Sequence, residues 1–391
     1  MVTYGGALGL NVATRIADAL AADSRLFRAP GRINIIGEHT DYNDGLVLPT
    51  NTALYTWLTV LPRADRTVQV TAVNLNDMQS FSLDDIRRSD HPGWLDYVKG
   101  VAAQLEDAGI RIHGAEISVD GEIPIGGGLS SSASLELAIA TALLKISDAE
   151  MRPERIAELC RRAEQLYAGV SCGIMDQFSI ACCSRGEAIL LDCRSLKTTA
   201  VTIPKQMSLL VTDCGVKHKL PDGGYNNRAD ECRQAVDLIA EVEPGVRSLR
   251  DISMLSLQNF EARLGALLFR RSRHVVSEIH RVTEAFAALE SGDLEKLGAL
   301  VSASHVSLRD DFEVSCDEVE TLVEISDSCD GVLGSRMVGA GFGGCVLSVT
   351  HTDQLESTIN QIGRSYGAVI GKAPWIHVVS PTDPAEEVRA Q

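Results

Sequence analysis

The sequence predicts an α+β protein with two lobes, and three observations lead to this fold class. The chain has 391 residues, 45% of them hydrophobic, which is enough for two or three domains with their own cores. Segments rich in β-branched and aromatic residues alternate with segments of helical periodicity. No internal repeat or low-complexity linker interrupts this alternation. Mixed or antiparallel sheets covered by helices are therefore expected in each lobe.

In the first half, strands and helices follow each other closely. A glycine-serine run separates the third predicted strand from a long helix. The helix over 152–169 has proline near its first turn and Gly169 at its end, as helix start and stop signals require. The predicted elements are strands over 53–61, 67–73 and 115–124, and helices over 94–108, from about 130 onward, and over 152–169.

The second half begins after the turn-rich segment LDCRSLKTTAVTIPK, residues 191–205, where we expect the lobe boundary. This divides the chain into lobes of residues 1–200 and 201–391. The elements predicted beyond it are a strand over 207–213, helices around 226–242, 273–290, 293–308 and 315–328, a strand, turn and strand in SRMVGAGFGGCVLSVT, a further helix, and a last strand in WIHVV.

Charge and cysteine usage limit the class of partner and the compartment. The 36 basic and 53 acidic residues give a net charge of −17, which repels nucleic acid and anionic membranes. The ten cysteines form no C-x-x-C pair, so reduced thiols are expected. The sequence shows no signal peptide and no apolar run of the ~18 residues that span a bilayer. A soluble cytoplasmic protein is predicted.

The segment GGGLSSSAS, residues 126–134, is predicted to bind phosphate. A flexible linker has a similar composition, but this run lies directly between a strand and a helix. Backbone N–H groups of a glycine turn and the positive end of the next helix stabilise an anion at such a place. No lysine follows at the spacing of a Walker P-loop, which excludes that class of nucleotide site.

Two further segments leave alternatives open. GAGFGG, residues 339–344, matches G-x-G-x-x-G, but a strand follows it rather than the helix of a dinucleotide site. It is predicted to be a tight hairpin, either purely structural or approaching a ligand or another loop.

Asp176 is the one charged residue in GVSCGIMDQFS, which suits a helix cap or core group as well as a catalytic carboxylate.

A dense polar cluster follows an apolar, strand-like run in APGRINIIGEHTDYNDGLVLP, residues 29–49. Glu38, His39 and Asp41 lie within four consecutive positions, a few residues after Arg32. A polar surface loop with a turn at 43–45 is one interpretation. The other is a ligand-binding site.

Together these motifs resemble the galactokinases of the GHMP small-molecule kinase superfamily. The resemblance rests on GRINIIGEHTDYNDGLVLP, PIGGGLSSSASLE, CGIMDQF and GAGFGGC, in that order, and covers nearly the whole chain. HVVSEIHRV and SHVSLRDDFEVSC also match stretches typical of the family. The resemblance implies the two-lobed GHMP kinase fold, with the active site between the lobes.

The resemblance also assigns site residues. Asp176 would accept the proton of the anomeric hydroxyl and Arg32 would orient it and stabilise charge. Tyr97 would lie near the adenine together with Trp94. The positions that match sugar contacts are Glu38, His39, Thr40, Asp41, Gly173, Asp176 and Tyr225. Those that match ATP contacts are Gly126, Gly127, Gly128, Leu129, Ser130, Ser131, Ser132 and Trp94, and those that match Mg²⁺ ligands are Ser132 and Glu164.

The implied reaction is transfer of phosphate from ATP to the anomeric hydroxyl of α-D-galactose, the first committed step of the Leloir pathway, with Mg²⁺ as cofactor. A monomer is expected. Alternatives are a kinase for N-acetylgalactosamine or L-arabinose, and a non-catalytic galactose sensor. HTDYNDG favours galactose, since the N-acetylgalactosamine kinases usually differ after the Asp-Tyr. The sensors of some yeasts lack a Ser-Ala pair that is present here at Ser132-Ala133.

Overall fold

The computed structural model describes residues 23–217 and 224–388, and the strands of this part form three sheets. The strands are β1 (Arg25–Asn34), β2 (Leu46–Val47), β3 (Pro49–Arg63), β4 (Thr67–Ala72), β5 (Asp77–Ser82), β6 (Gly114–Gly121), β7 (Glu187–Asp192), β8 (Thr198–Thr202), β9 (Met207–Lys217), β10 (Val332–Met337), β11 (Gly343–His351), β12 (Ile376–Val378) and β13 (Glu386–Val388).

Helices cover these sheets. Two of them continue into a single π-helical turn, at Glu164–Ala168 and at Leu308–Phe312. The α-helices are α1 (Trp94–Asp107), α2 (Ser131–Ile146), α3 (Pro153–Ala163), α4 (Met175–Cys182), α5 (Gly224–Ala240), α6 (Met254–Gln258), α7 (Glu261–Ser291), α8 (Leu294–Ser307), α9 (Asp317–Asp327) and α10 (Leu355–Ile370).

The first sheet has the strand order β13-β1-β3-β6-β4-β5 and is antiparallel except between β4 and β6. Helices α1 to α4 share one core with it, in which Phe27 and Leu58 of the strands meet Val98 and Leu137 of the helices. All four side chains are almost completely buried. Burying a large aliphatic or aromatic side chain contributes ~1.5–3 kcal/mol, so this core fixes the helices on the sheet.

The second sheet, β10-β11-β9-β12, is antiparallel and has its own core. There Leu210 and Val346 of the strands pack with Leu322 and Tyr366 of the helices. A third core joins the two halves and contains Ile33 beside Val211 and Leu347. The small sheet β2-β7-β8 completes this junction. The fold is thus α+β with mixed and antiparallel sheets, as the sequence predicts.

Three details differ from the sequence predictions. The segment 191–205 is not only a turn-rich separator, because its residues Thr198–Thr202, mostly β-branched, form β8 and pair with β7. Helix 273–290 is part of the longer α7, which continues through a kink at Gly265. The chain end returns to the first sheet, where β13 pairs with β1 and Arg25 binds Glu387 through two nitrogens. None of the helices in the described ranges is long and apolar enough to cross a bilayer.

Candidate active site

A cavity of about 560 Å³ lies between the two halves of the chain. The polar cluster after β1, the glycine-serine loop, the segment around Asp176, the GAGFGG hairpin and Tyr225 at the start of α5 all contribute to its walls. Segments far apart in the sequence therefore meet at one place. This size is ordinary for a small-molecule site.

Arg32 and Asp176 form an ion pair in this cavity. Nε and Nη2 of Arg32 lie 2.8 and 2.7 Å from Asp176 Oδ1, and Nη1 donates to the Gly128 carbonyl over 2.6 Å. The Ser130 hydroxyl donates to Asp176 Oδ2. Burial opposes the charge of Arg32, but Asp176 and Glu38 raise its pKa overall. The carboxylate is thus held at both oxygens, and α4 places it on the cavity wall.

The glycine-serine loop runs directly into α2, and the GAGFGG hairpin packs against it. A Cβ atom on Gly128, whose φ is +78°, would lie 2.7 Å from the Val338 carbonyl oxygen. A Cβ atom on Gly339 would lie 2.8 Å from Gly128 Cα. Only glycine permits this approach of two backbones. The hairpin therefore approaches another loop, and the strand β11 follows it, as predicted.

Ser132 and Glu164 lie on the same side of the cavity. Burial and the charge of Asp176 raise the pKa of Glu164, while hydrogen bonds with Cys172 and Ser132 oppose this rise. A carboxylate and a hydroxyl are hard oxygen donors of the kind that Mg²⁺ prefers. In the described ranges, no group of three or more His, Cys, Asp or Glu side chains could hold a metal ion by itself. Phosphate oxygens and water would therefore supply the remaining ligands.

Glu38 connects the two halves. Its Oε1 accepts from Arg336 Nη2 over 3.0 Å and from the Gly339 N–H over 2.8 Å, and its Oε2 accepts from Asn34 Nδ2 over 2.9 Å. Arg336 is completely buried and also donates to the backbone carbonyls of Asn34 and Ile35. A carboxylate oxygen accepts up to two hydrogen bonds, so Oε2 has room for one further donor.

His39 is held by aromatic neighbours. Its Nδ1 lies 2.8 Å from the Tyr42 hydroxyl, and its ring centre lies 4.6 Å from that of Phe312 and 5.6 Å from that of Tyr225. Burial holds the pKa of His39 well below its usual value, and His274, Arg228 and Arg336 lower it further by smaller amounts. The imidazole is thus neutral at pH 7. A hydrogen bond between the ring and the Ala340 backbone opposes this shift.

Asp41 and Gly173 touch on the cavity wall. Burial, followed by the charge of Asp176, raises the pKa of Asp41 to about 7. A Cβ atom on Gly173 would lie 2.0 Å from Asp41 Oδ2. Tyr225 closes this side, with its ring 5.4 Å from that of Tyr42. The predicted sugar residues Glu38, His39, Asp41, Gly173 and Tyr225 are therefore brought together.

Three predicted contact residues do not line this cavity. The Thr40 hydroxyl donates to the carbonyls of Gly37 and Leu46, which holds the loop in shape. Gly127 faces Pro124. The Trp94 indole donates to Asp77 of β5 over 2.8 Å, and this bond draws it toward the sheet. Tyr97, one turn later in α1, does reach the wall.

Several residues that support the site were not predicted from the sequence. Arg336, Asn34 and Gln177 each hold a predicted site carboxylate. The sequence does contain one indication for Arg336, because an arginine within an apolar strand such as β10 needs buried hydrogen-bond acceptors. Phe312 lies in SHVSLRDDFEVSC, a stretch that matched the family without an assigned role.

Sequence profiles match most of this architecture. The profile of the GHMP kinases N terminal domain matches residues 96–185, and that of the GHMP kinases C terminal domain matches 285–368. The galactokinase galactose-binding signature matches residues 18–62. The last match covers β1 and the polar cluster that follows it.

Similar proteins of known family give the same result. A galactokinase of Roseiflexus sp. (strain RS-1) is 40% identical over 358 residues, 92% of this chain and 91% of that protein. A galactokinase of Chloroflexus aurantiacus is 39% identical over 349 residues, 89% of this chain and 90% of that protein.

Solved structures agree. The crystal structure of Lactococcus lactis galactokinase complexed with galactose superposes with a TM-score of 0.91, at 33% identity, over 97% of this chain and 100% of that one. A mevalonate kinase structure, at 17% identity and a TM-score of 0.65 over 91% of this chain and 98% of that one, shares the fold. The chain therefore belongs to the galactokinase family of the GHMP kinases.

Proposed function

We propose that this protein transfers the γ-phosphate of ATP to the anomeric hydroxyl of α-D-galactose, yielding α-D-galactose 1-phosphate and ADP. The observation that carries the proposal is the position of the Arg32–Asp176 pair. It touches the phosphate loop through Gly128 and Ser130 and shares a cavity with the polar cluster of Asp41. A sugar hydroxyl beside Asp176 would therefore face the terminal phosphate of a nucleotide on the loop.

In this mechanism Asp176 accepts the hydroxyl proton and Arg32 balances charge. Both carboxylate oxygens already carry hydrogen bonds, so Asp176 keeps one orientation toward the incoming hydroxyl. Phosphoryl transfer has a loose transition state with little bonding to the nucleophile. Positioning of the hydroxyl for in-line attack therefore contributes more than the strength of the base. Neutral His39 lines the cavity, where its ring meets a sugar hydroxyl, and Asp41 and Glu38 accept hydrogen bonds from sugar hydroxyl groups.

ATP would lie with its phosphates on the loop 126–132 and its base toward Tyr97. Ser132 and Glu164 would hold Mg²⁺, which neutralises phosphate charge when it is bound. The separation into lobes 1–200 and 201–391, the monomeric state and the cytoplasmic location stay predictions.

Glu164→Gln should raise the Mg²⁺ concentration for half-maximal rate by about tenfold or more, because the amide keeps the size of the side chain and removes its charge. Galactose affinity in the absence of nucleotide should change little. A Mg²⁺ titration of the initial rate, with a calorimetric galactose titration as control, measures both. If the Mg²⁺ titration is unchanged, Glu164 is not a Mg²⁺ ligand and has a structural role only.

Gly173→Ala should raise the KM for galactose by at least about tenfold, because the new methyl group displaces the Asp41 carboxylate. The KM for ATP should stay near its wild-type value. Gly245→Ala is a suitable control, since a Cβ atom there meets nothing within 4 Å. If Gly173→Ala keeps the wild-type KM for galactose, the contact between Gly173 and Asp41 has no part in sugar binding.

A turnover assay with galactose and Mg·ATP separates an enzyme from a galactose sensor. We expect turnover that depends on galactose. Binding of both ligands without product would contradict the proposal.

A further inference from the structure

A buried glutamine links the proposed magnesium ligand to a second carboxyl group that the mechanism does not use. Gln177 directly follows Asp176 in α4, and its side chain is completely buried. Its Nε2 donates to Glu164 Oε2 over 2.6 Å and to Glu136 Oε2 over 3.0 Å. One amide nitrogen therefore serves carboxyl groups from two different segments of the chain.

Glu136 is an unusual core residue. It lies in α2 four positions after Ser132, hence on the same face of the helix one turn further on. Its side chain is completely buried, and its Oε1 has no hydrogen-bond partner among the described residues. A buried, incompletely paired carboxyl group is destabilising, and an apolar side chain of similar size would fill this space without that cost. Packing alone does not account for a glutamate at this position.

We propose that Gln177, fixed by Glu136, orients the Glu164 carboxylate beside Ser132 and so sets the affinity of the site for Mg²⁺. This inference rests on the metal site proposed above. A free glutamate side chain has three rotatable bonds, and Glu164 begins a π-helical turn at the end of α3. The hydrogen bond from Gln177 removes part of this freedom before the metal arrives. Such supporting bonds typically change metal affinity by about 10- to 100-fold.

The test is the affinity for Mn²⁺, a paramagnetic substitute for Mg²⁺, measured by EPR in the complex with ADP. Gln177→Met should bind Mn²⁺ about tenfold more weakly, or worse, because the donor to Glu164 is lost. Glu136→Met should show a similar loss, because Gln177 is no longer fixed. Thermal unfolding of Glu136→Met should occur at the same or a higher temperature, since a buried carboxyl group has been removed. A purely structural role would leave the Mn²⁺ affinity unchanged.

Two matched variants complete the experiment. Glu136→Gln keeps an oxygen acceptor for Gln177 and should restore Mn²⁺ affinity to within about twofold of the wild type. Gln104→Met removes another buried glutamine, which donates to Asp107 in α1, and should have no effect. If Gln177→Met does not fold, Gln177→Asn, whose amide is withdrawn by one methylene group, must show the same loss.

The outcomes distinguish this inference from the proposed metal site. Weak Mn²⁺ binding by Glu164→Gln together with normal binding by either methionine variant would overturn the support role and leave the metal site in place. Normal Mn²⁺ binding by Glu164→Gln itself would overturn the metal site, and the support role with it.

Discussion

Asp176→Asn is expected to bind galactose and ATP nearly as well as the wild type and to lose kcat by about 10²- to 10⁴-fold. The amide keeps the shape of the side chain, and its oxygen still accepts from Arg32. It removes the negative charge and the proton acceptor at the anomeric hydroxyl. Steady-state kinetics with both substrates, and calorimetry of each binding step, give the two quantities separately.

Asp383→Asn provides the control for this variant. Asp383 is also bound by two nitrogens of one arginine, Arg185, but on the surface. Its replacement should leave kcat unchanged. Turnover by Asp176→Asn close to that of the wild type would remove Asp176 from the chemistry and leave it as a partner that positions Arg32.

Asp41→Ala is expected to lower kcat/KM for galactose by at least about 100-fold, because a site built on hydrogen bonds loses a charged acceptor. Nucleotide affinity measured without sugar should barely change. Asp44→Ala is the matched control, since Asp44 lies three residues further on and pairs with Arg194 at the surface. Normal galactose kinetics for Asp41→Ala would exclude Asp41 from the sugar site.

The raised pKa of Asp41 adds a pH dependence to this prediction. Sugar hydroxyls donate to the ionised carboxylate, so galactose affinity should rise with pH through about 7 and level off above it. In the unfolded chain the carboxyl group ionises near 3.8, so the contribution of Asp41 to the stability of the ligand-free protein should fall as pH rises from about 4 to about 7. The shift corresponds to at most about 4 kcal/mol. Asp41→Asn should weaken both effects relative to the wild type, in calorimetric titrations and denaturant unfolding across this range. An equal pH dependence in the two proteins would contradict the assignment.

Much of the fold could be predicted because its elements have strong local signals. Helices α1 and α2 and strands β3 and β4 follow clear periodicity, and the glycine-serine loop stands where a strand meets a helix. Strand β13 has no such signal, since three residues that include two glutamates become a strand only by pairing with β1. Its position depends on contacts between the two ends of the chain.

In the candidate site, too, residues in local motifs could be predicted and contacts between distant segments could not. Resemblance to a family identified Arg32, Asp176 and Asp41, because these lie in dense, specific motifs. It did not indicate that Ser130 holds Asp176 or that Arg336 holds Glu38, since these contacts join distant segments. The motif predicts Trp94 near the nucleotide, and the structure adds that its indole donates to Asp77. The direction in which a side chain points depends on neighbours that a motif does not contain.

The position of the transferred phosphate tests the account most directly. The protein should be incubated with Mg·ATP and either galactose or glucose, which differ only at carbon four, and the products analysed by ³¹P and ¹H NMR. We predict α-D-galactose 1-phosphate in stoichiometric yield with ADP, and little or no product from glucose. Phosphate on another hydroxyl, or equal use of the two sugars, would contradict the placement of the anomeric hydroxyl at Asp176 and the assignment of the Asp41 cluster to sugar recognition.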